Sequence, residues 1–125
     1  MLESWKLAPS IASGCTVVLK PAEFTPLSAS LWAKIFEDAG LPKGVFNLVN
    51  GIGEEAGDAL VKHPDVPLIS FTGESSTGQL IFRNCAENLK GMSMELGGKS
   101  PAIVFEDADF DAAIDSTVRR VLAER

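Results

Sequence analysis

The stretch CTVVLKPAEFTPLSA, residues 15–29, joins a short apolar run to the start of a helix and decides the fold class. Residues 15–21 are apolar on both faces and rich in β-branched side chains, which is typical of a strand buried in a sheet covered on both sides. Thr25 is a candidate N-cap, and Pro26 suits the first position of a helix. An apolar stripe continues this helix, which is predicted to end at Gly40.

The same alternation of strand and helix runs through the rest of the chain. Further strands are predicted at residues 45–51, 67–73 and 100–106, and further helices at residues 2–13, 54–62, 75–89 and 110–122. Strands separated by helices of this length imply right-handed crossovers between parallel strands. The sequence therefore predicts an α/β fold with a doubly wound, mainly parallel, Rossmann-like sheet.

Length and composition are those of one ordinary globular domain. The chain has 125 residues, of which 46% are hydrophobic and 22% are charged. The formal net charge is −6 and Lys and Arg form no block, so we expect no nucleic acid and no anionic membrane as a partner. The sequence has neither an apolar run of about 18 residues nor a secretory leader, so a cytoplasmic protein is expected.

The cysteines and the histidine give no indication of a metal site. Cys15 and Cys85 are spaced like no zinc or redox pattern, and we expect both thiols to be reduced and mostly buried. His63 precedes a proline in a predicted surface turn, and the sequence has no second histidine to share a metal.

Three segments follow predicted strands, at the carboxyl ends where open α/β sheets bind their ligands: residues 19–26, 50–57 and 71–78. In the first, an ammonium and a carboxylate, those of Lys20 and Glu23, are placed to grip the hydroxyls of a ribose. A surface ion pair of little energetic value is the alternative.

The second segment has three glycines between a strand and a helix, Gly51, Gly53 and Gly57. Their G-x-G-x-x-x-G spacing lets a phosphate approach the backbone at a helix N-terminus, but it is one residue longer than the dinucleotide fingerprint. Glycines that serve only a tight turn remain an equal alternative. The third segment brings a glycine and three hydroxyls to the start of a helix, where they either hold a pyrophosphate or cap the helix: Gly73, Ser75, Ser76 and Thr77.

Glu95 lies between apolar neighbours in MELGGKS, residues 94–100, and is followed by two glycines. It is a candidate general base, because desolvation increases the affinity of a carboxylate for a proton. A carboxylate satisfied by backbone N–H groups or by Lys99 is the alternative. The adjacent glycines indicate that something approaches the main chain closely.

Four segments together closely resemble the NAD(P)-dependent aldehyde dehydrogenase superfamily: residues 5–29, 39–57, 69–79 and 94–113. The most specific parts are KPAE, FTG and ELGGKSP. Within the superfamily, the sequence is most similar to semialdehyde dehydrogenases of aromatic-acid breakdown, of the 5-carboxymethyl-2-hydroxymuconate type, with betaine-aldehyde dehydrogenases as close competitors. The resemblance implies an oxidoreductase that converts an aldehyde to a carboxylic acid.

The resemblance also implies roles for single residues. Lys20 and Glu23 would bind the adenosine ribose, and the carboxylate should repel a 2′-phosphate, which favours NAD over NADP. Glu95 would be the general base that activates the thiol or the hydrolytic water. The remaining cofactor contacts would come from Gly53 and Gly57 at the adenine end, and from Phe71, Gly73, Ser75 and the carbonyl of Leu96 towards the pyrophosphate and nicotinamide.

Residues 1–98 are expected to form part of the NAD-binding domain, and residues 99–125 to begin the catalytic domain. The family's nucleophilic cysteine and oxyanion-hole asparagine are expected outside this chain, which should be inactive alone and prone to self-association through truncated surfaces. Two other hypotheses stay open: a non-catalytic assembly fragment, and a small complete enzyme that uses Cys85.

Overall fold

The computed structural model describes residues 2–123, which alternate between helices and short strands. The elements are α1 (Leu2–Ala12), β1 (Val17–Leu19), α2 (Pro26–Asp38), β2 (Phe46–Leu48), a π-helical turn (Gly53–Gly57) that leads into α3 (Asp58–Lys62), β3 (Leu68–Thr72), α4 (Ser75–Ala86), β4 (Gly91–Glu95) and α5 (Phe110–Ala123). All strand pairing in this part of the chain is parallel. The predicted α/β class with helical crossovers is confirmed.

The strands form two separate pairs, where the sequence suggested one sheet. β1 pairs with β2, and Leu19 lies opposite Leu48. β3 pairs with β4, and Thr72 lies opposite Glu95. Because each pair is parallel, the loops that follow its two strands leave from the same edge. The candidate functional residues lie at these strand ends, one set on each pair.

The predicted strand at residues 100–106 is wrong, and a strand at Gly91–Glu95 was missed. Residues 100–106 are exposed, and an isolated extended segment has no neighbour for its backbone N–H and C=O groups. In β4 the burial of side chains alternates along the strand: Met92 and Met94 are half-buried, whereas Ser93 and Glu95 are exposed. Its residue types have low β-propensity, so pairing with β3 decides the conformation.

The other predicted elements are present with shifted ends. α1 and α2 are followed by Gly14 and Gly40, whose φ angles of +81° and +77° are those of left-handed helix ends. Pro26 opens α2 as predicted, but Thr25 at the N-cap position makes no side-chain capping bond. The predicted helix at residues 54–62 is divided into the π-helical turn and α3.

The main hydrophobic core lies between α1, α2 and the β1–β2 pair. Leu7, Leu19 and Ala29 are buried at its centre. Partly buried side chains pack around them: Val17, Trp32, Phe36, Phe46 and Leu48. Two of these rings, Trp32 and Phe36, are stacked with their centroids 5.6 Å apart. Trp32 Nε1 also donates to Glu3 Oε2 at 3.1 Å, which ties α2 to α1.

The two thiols differ in burial. Cys85 on α4 is fully buried, as predicted, but Cys15 is exposed, contrary to prediction. Cys15 lies outside the core, between the turn that follows α1 and the start of β1.

Much apolar surface stays open. The chain exposes 9510 Å², whereas a compact protein of 13.3 kDa exposes about 6,450 Å². Part of this exposed surface is the apolar stripe of α5, whose side chains are exposed at Phe110, Ile114, Val118 and Val121. None of the helices in residues 2–123 is long and apolar enough to cross a membrane.

Candidate functional site

Lys20 joins the loops that follow β1 and β2. Its ammonium donates to the carbonyl of Pro21 at 2.8 Å and to that of Gly51 at 3.0 Å. The carboxylate of Glu23 lies 3.7 Å away, and the side chain of Lys20 is only 17% exposed. Lys20 is therefore a structural link between two strand ends as well as the ion-pair partner of Glu23.

The three glycines of the second segment have different surroundings. A Cβ on Gly51 would lie 2.7 Å from Cβ of Ala56, so packing explains this glycine. A Cβ on Gly57 would lie 3.6 Å from Cε of Lys20, an ordinary contact, and one on Gly53 would meet nothing within 4 Å. Packing among the described residues therefore does not require a glycine at position 53, and its role as a ligand contact stays a prediction.

A second cluster forms where β3 and β4 end. The N–H of Gly73 donates to the carbonyl of Glu95 at 3.1 Å and extends the pairing by one bond. The ring of Phe71 covers Gly73 so closely that a Cβ there would lie 2.6 Å from Cζ. The hydroxyl of Ser75 lies 3.1 Å from the position of a Cβ on Gly97. These contacts bring the third segment and the ELGG segment together.

The start of α4 leaves its hydroxyl groups open. Glu74 occupies the N-cap position with an extended backbone, and its side chain makes no capping bond. Ser75, Ser76 and Thr77 lie in the first turn and are exposed. No side-chain capping bond is found at this helix start, and the hydroxyls of its first turn face solvent.

Glu95 is exposed at the end of β4, where burial was expected. Strand alternation turns the half-buried Met94 to the opposite face, so the apolar neighbours seen in the sequence do not surround the carboxylate. Glu95 shares its face with Ser93 of the same strand and with Ser70 and Thr72 of β3. Desolvation of Glu95 is therefore not supplied by residues 2–123.

Three residues that sequence reasoning missed belong to this region. Lys6 of α1 donates to Oγ of Ser70 at 2.8 Å. Burial lowers the pKa of Lys6 from its usual value, and the negative charge of Glu95 opposes that shift. The signal for Ser70 was present in the alternation of LISFT, but Lys6 reads as an ordinary polar residue of an amphipathic helix.

Gly78 is the third missed residue. It is buried inside α4, and a Cβ there would lie 2.5 Å from Cδ2 of Leu96. The side chain of Leu96 therefore rests on the backbone of α4, which fixes the first residue after β4. A glycine within a helical pattern was the available signal: it costs about 1 kcal/mol relative to alanine, so its presence indicates a reason such as close packing.

The two clusters are linked through α1. Leu7 packs in the core beside β1, and the adjacent Lys6 reaches β3. That both strand-end clusters face one cleft stays a prediction. Within residues 2–123, no three His, Cys, Asp or Glu side chains are grouped to hold a metal ion. An apolar groove of about 290 Å³ lies between α1 and α2, and no residue of either cluster lines it.

The sequence matches the aldehyde dehydrogenase family over residues 1–124. Among curated relatives, 2-aminomuconic semialdehyde dehydrogenase of Danio rerio is 54% identical over 118 residues, which are 94% of this chain and 24% of that protein. HpcC from Thermus thermophilus, a solved structure, is 59% identical with a TM-score of 0.86, over 92% of this chain and 22% of that chain.

A third similar protein is the betaine aldehyde dehydrogenase of Staphylococcus aureus, solved in complex with NAD+. It is 46% identical, with a TM-score of 0.85 over 94% of this chain and 23% of that chain. These likenesses confirm the predicted Rossmann-like fold. The chain spans about a quarter of the length of the relatives it matches.

Proposed function

Because the chain belongs to the aldehyde dehydrogenase family, we propose that it is the cofactor-binding part of an NAD-dependent enzyme that oxidises an aldehyde to a carboxylic acid. Residues 1–98 supply most of the NAD-binding domain, and residues 99–125 begin the catalytic domain. The nucleophilic cysteine is supplied from outside these 125 residues. The observation that carries the proposal is the Lys20 cluster, in which one ammonium joins two strand ends beside a carboxylate.

The adenosine ribose is the ligand that fits this cluster. An ammonium has three N–H donors, and Lys20 uses two of them on the carbonyls of Pro21 and Gly51. The third is free to bind a ribose hydroxyl, while Glu23 accepts a hydrogen bond from the other hydroxyl. A phosphate on the ribose would place negative charge against Glu23, which supports NAD over NADP.

The rest of the dinucleotide is assigned to Gly53 and Gly57 and to the cluster where β3 and β4 end. Gly53 and Gly57 lie at the adenine end, where Gly53 has free space for an approaching ring. The first turn of α4 with Ser75 receives the pyrophosphate, since the N–H groups of a helix start attract anions. Phe71, Gly73 and the carbonyl of Leu96 lie towards the nicotinamide.

Bound NAD supplies the hydride acceptor of the reaction. Glu95 acts as general base and takes a proton from the thiol or from the hydrolytic water. Its exposed place at the strand edge supports this role, because the carboxylate is free to meet a nucleophile from another part of the protein. The desolvation that a general base needs would then also come from that part.

The proposed substrate is a semialdehyde formed in the breakdown of an aromatic acid, of the 5-carboxymethyl-2-hydroxymuconate type. The similarity to 2-aminomuconic semialdehyde dehydrogenases supports this class. Betaine aldehyde is the competing substrate, since betaine aldehyde dehydrogenases are almost as similar.

A second candidate function is a non-catalytic assembly fragment. The open apolar surface favours it, because an exposed stripe such as that of α5 associates readily with itself or with a partner. Such a fragment has no need of NAD, so cofactor binding separates the two functions.

Calorimetry of the 125-residue chain with NAD+ tests the proposal. We expect saturable binding, weaker binding of NADP+, and a loss of about tenfold or more in Lys20→Ala, because a hydrogen bond to a charged group contributes about 1.5–3 kcal/mol. Lys34→Ala is the matched control, since Lys34 is an exposed lysine paired with Asp38 on α2. Equal loss in both variants, or no saturable binding by the folded chain, would refute the assignment.

A further inference from the structure

The π-helical turn Gly53–Gly57 lies between the two strand pairs. It follows the end of β2 and leads into α3. On one side, a Cβ on Gly57 would lie 3.6 Å from Cε of Lys20, so the turn is in contact with the Lys20 cluster. On the other side, α3 packs beside α4, the helix that connects β3 to β4. Besides α1, this turn is therefore a second connection between the two strand pairs.

The backbone of the turn is held weakly by its own hydrogen bonds. The carbonyl of Ile52, just before the turn, is shared by three N–H groups, and the distances are 3.4, 3.1 and 3.4 Å from Glu55, Ala56 and Gly57. A well-formed bond of this kind measures about 2.7–3.2 Å. The turn therefore needs a further contact if its shape is to be fixed.

Asp58 closes the turn with its backbone and connects it to α4 with its side chain. Its N–H donates to the carbonyl of Gly53, five residues earlier, which is the bond typical of a π-helix. Its carboxylate accepts a hydrogen bond from Nδ2 of Asn84 on α4 at 3.1 Å, and Asn84 is half-buried. The residue that closes the turn is thus bound to the neighbouring helix.

The carboxylate of Asp58 has a second partner on its own helix. The ammonium of Lys62 donates to its other oxygen at 2.7 Å, four residues further along α3. This ion pair, and the favourable position of an acidic residue in the first turn, both stabilise α3 without any help from α4. Neither effect explains the bond to Asn84, which crosses between helices.

We propose that Asp58 is a positioning residue for the cofactor, because it holds the π-helical turn against α4 through Asn84. The cofactor role rests on the proposed function, in which Gly53 and Gly57 of this turn lie at the adenine end. Since α4 is one continuous helix from Ser75 to Ala86, a turn bound to Asn84 is also fixed relative to the first turn of α4. The adenine end and the pyrophosphate end are thereby held in register.

Amide hydrogen exchange of the 125-residue chain without ligand tests the contact itself. In Asn84→Ala, exchange at residues 55–58 should become about tenfold faster, because the turn loses a hydrogen bond to a charged group. Exchange of the Val49 amide, which is bonded to Leu19 at 2.9 Å in the β1–β2 pair, should stay unchanged.

Lys62→Met is the matched control, because it removes the partner of Asp58 within α3 and leaves the bond to Asn84 in place. Its effect on exchange at residues 55–58 should be less than about twofold, since an exposed ion pair contributes little. Equal acceleration in the two variants, or none in Asn84→Ala, would overturn the proposal. A uniform increase that includes Val49 would also contradict it, because that result indicates general loss of stability.

Calorimetry with adenosine monophosphate tests the consequence for the cofactor. Asn84→Ala should weaken binding by about fivefold or more, because the turn is no longer preorganised, whereas Lys62→Met should bind as the wild type does. Asp58→Asn keeps an oxygen that accepts from Asn84, so it should bind more tightly than Asp58→Ala.

Unchanged affinity in Asn84→Ala, or equal affinity in Asp58→Asn and Asp58→Ala, would refute the positioning role. If the wild-type chain binds neither adenosine monophosphate nor NAD+, the proposed function fails. The exchange experiment would still decide whether Asn84 fixes the turn.

Discussion

Thr72 and Glu95 lie directly opposite each other as the last residues of two parallel strands. The next bond along the same edge joins the N–H of Gly73 to the carbonyl of Glu95 at 3.1 Å. The candidate base and the loop into α4 are thus fixed to each other by backbone pairing. The backbone of Glu95 therefore lies beside the loop that leads into α4.

The contact between Gly78 and Leu96 predicts the effect of a small substitution. Gly78→Ala places a methyl group against the side chain of Leu96 and should displace it. Overpacking costs about 1–3 kcal/mol and the helix propensity of alanine returns about 1 kcal/mol, so the net loss of stability should not exceed about 2 kcal/mol.

Nuclear magnetic resonance should show shifted Leu96 methyl signals in Gly78→Ala, and calorimetry should show weaker NAD+ binding. Gly98→Ala is the control, because a Cβ there meets nothing within 4 Å. Unchanged Leu96 signals in Gly78→Ala would disprove the close contact.

Lys90 predicts a stability effect that its charge alone does not suggest. The residue is 6% exposed, and its ammonium donates to the carbonyl of His63 at the end of α3. Lys90→Met should cost about 1–3 kcal/mol in urea unfolding, because the carbonyl loses its donor. Lys62→Met removes only an exposed ion pair with Asp58 and should cost less than about 1 kcal/mol. Similar costs for both variants would be inconsistent with a buried cap.

The core predicts the largest effect on stability. Leu7 is 2% exposed between α1 and β1, so Leu7→Ala should lower the free energy of unfolding by about 2–5 kcal/mol. Leu27 on α2 is 83% exposed, and Leu27→Ala should change it by no more than about 0.5 kcal/mol. Urea unfolding measures both variants, and a small effect of Leu7→Ala would place the core elsewhere.

The thiols predict a pH dependence. Burial raises the pKa of Cys85 above its usual 9.0, and Lys90 opposes part of that shift. The unfolded chain therefore loses this proton first, so the stability is fully present below pH 9.0 and decreases as the pH rises above it. In Cys85→Ala this part of the decrease should disappear, as measured by urea unfolding on both sides of that pH.

A thiol reagent should modify the exposed Cys15 at once and Cys85 only on unfolding. Rapid modification of Cys85 in the folded chain, made faster or slower by NAD+, would revive the hypothesis of a small enzyme that uses this thiol.

The fold class and most helices and strands were predictable from local sequence. Apolar periodicity indicates the type of each element, and Gly and Pro residues mark where elements begin and end. β4 was not predictable, because GMSME has weak strand propensity and becomes a strand only beside β3. The strand predicted at residues 100–106 was wrong for the opposite reason. The side chains there favour a strand, but no partner strand is present within residues 2–123.

The candidate site was predictable where one segment carries it, as at Lys20 and Glu23. Lys6 and Ser70 are 64 positions apart, and no local pattern connects a helical lysine with a strand serine. The expected burial of Glu95 failed because neighbours in sequence point to opposite faces of a strand.

In the proposed function, the strand ends of both pairs bind one dinucleotide. Amide spectra of the 125-residue chain, titrated with NAD+, test this claim most directly. We expect signals from residues 20–23, 51–57, 73–77 and 95–97 to shift together along one binding curve, while those of α5 stay in place. Shifts confined to one strand pair, or different dissociation constants for the two clusters, would contradict a shared cofactor site.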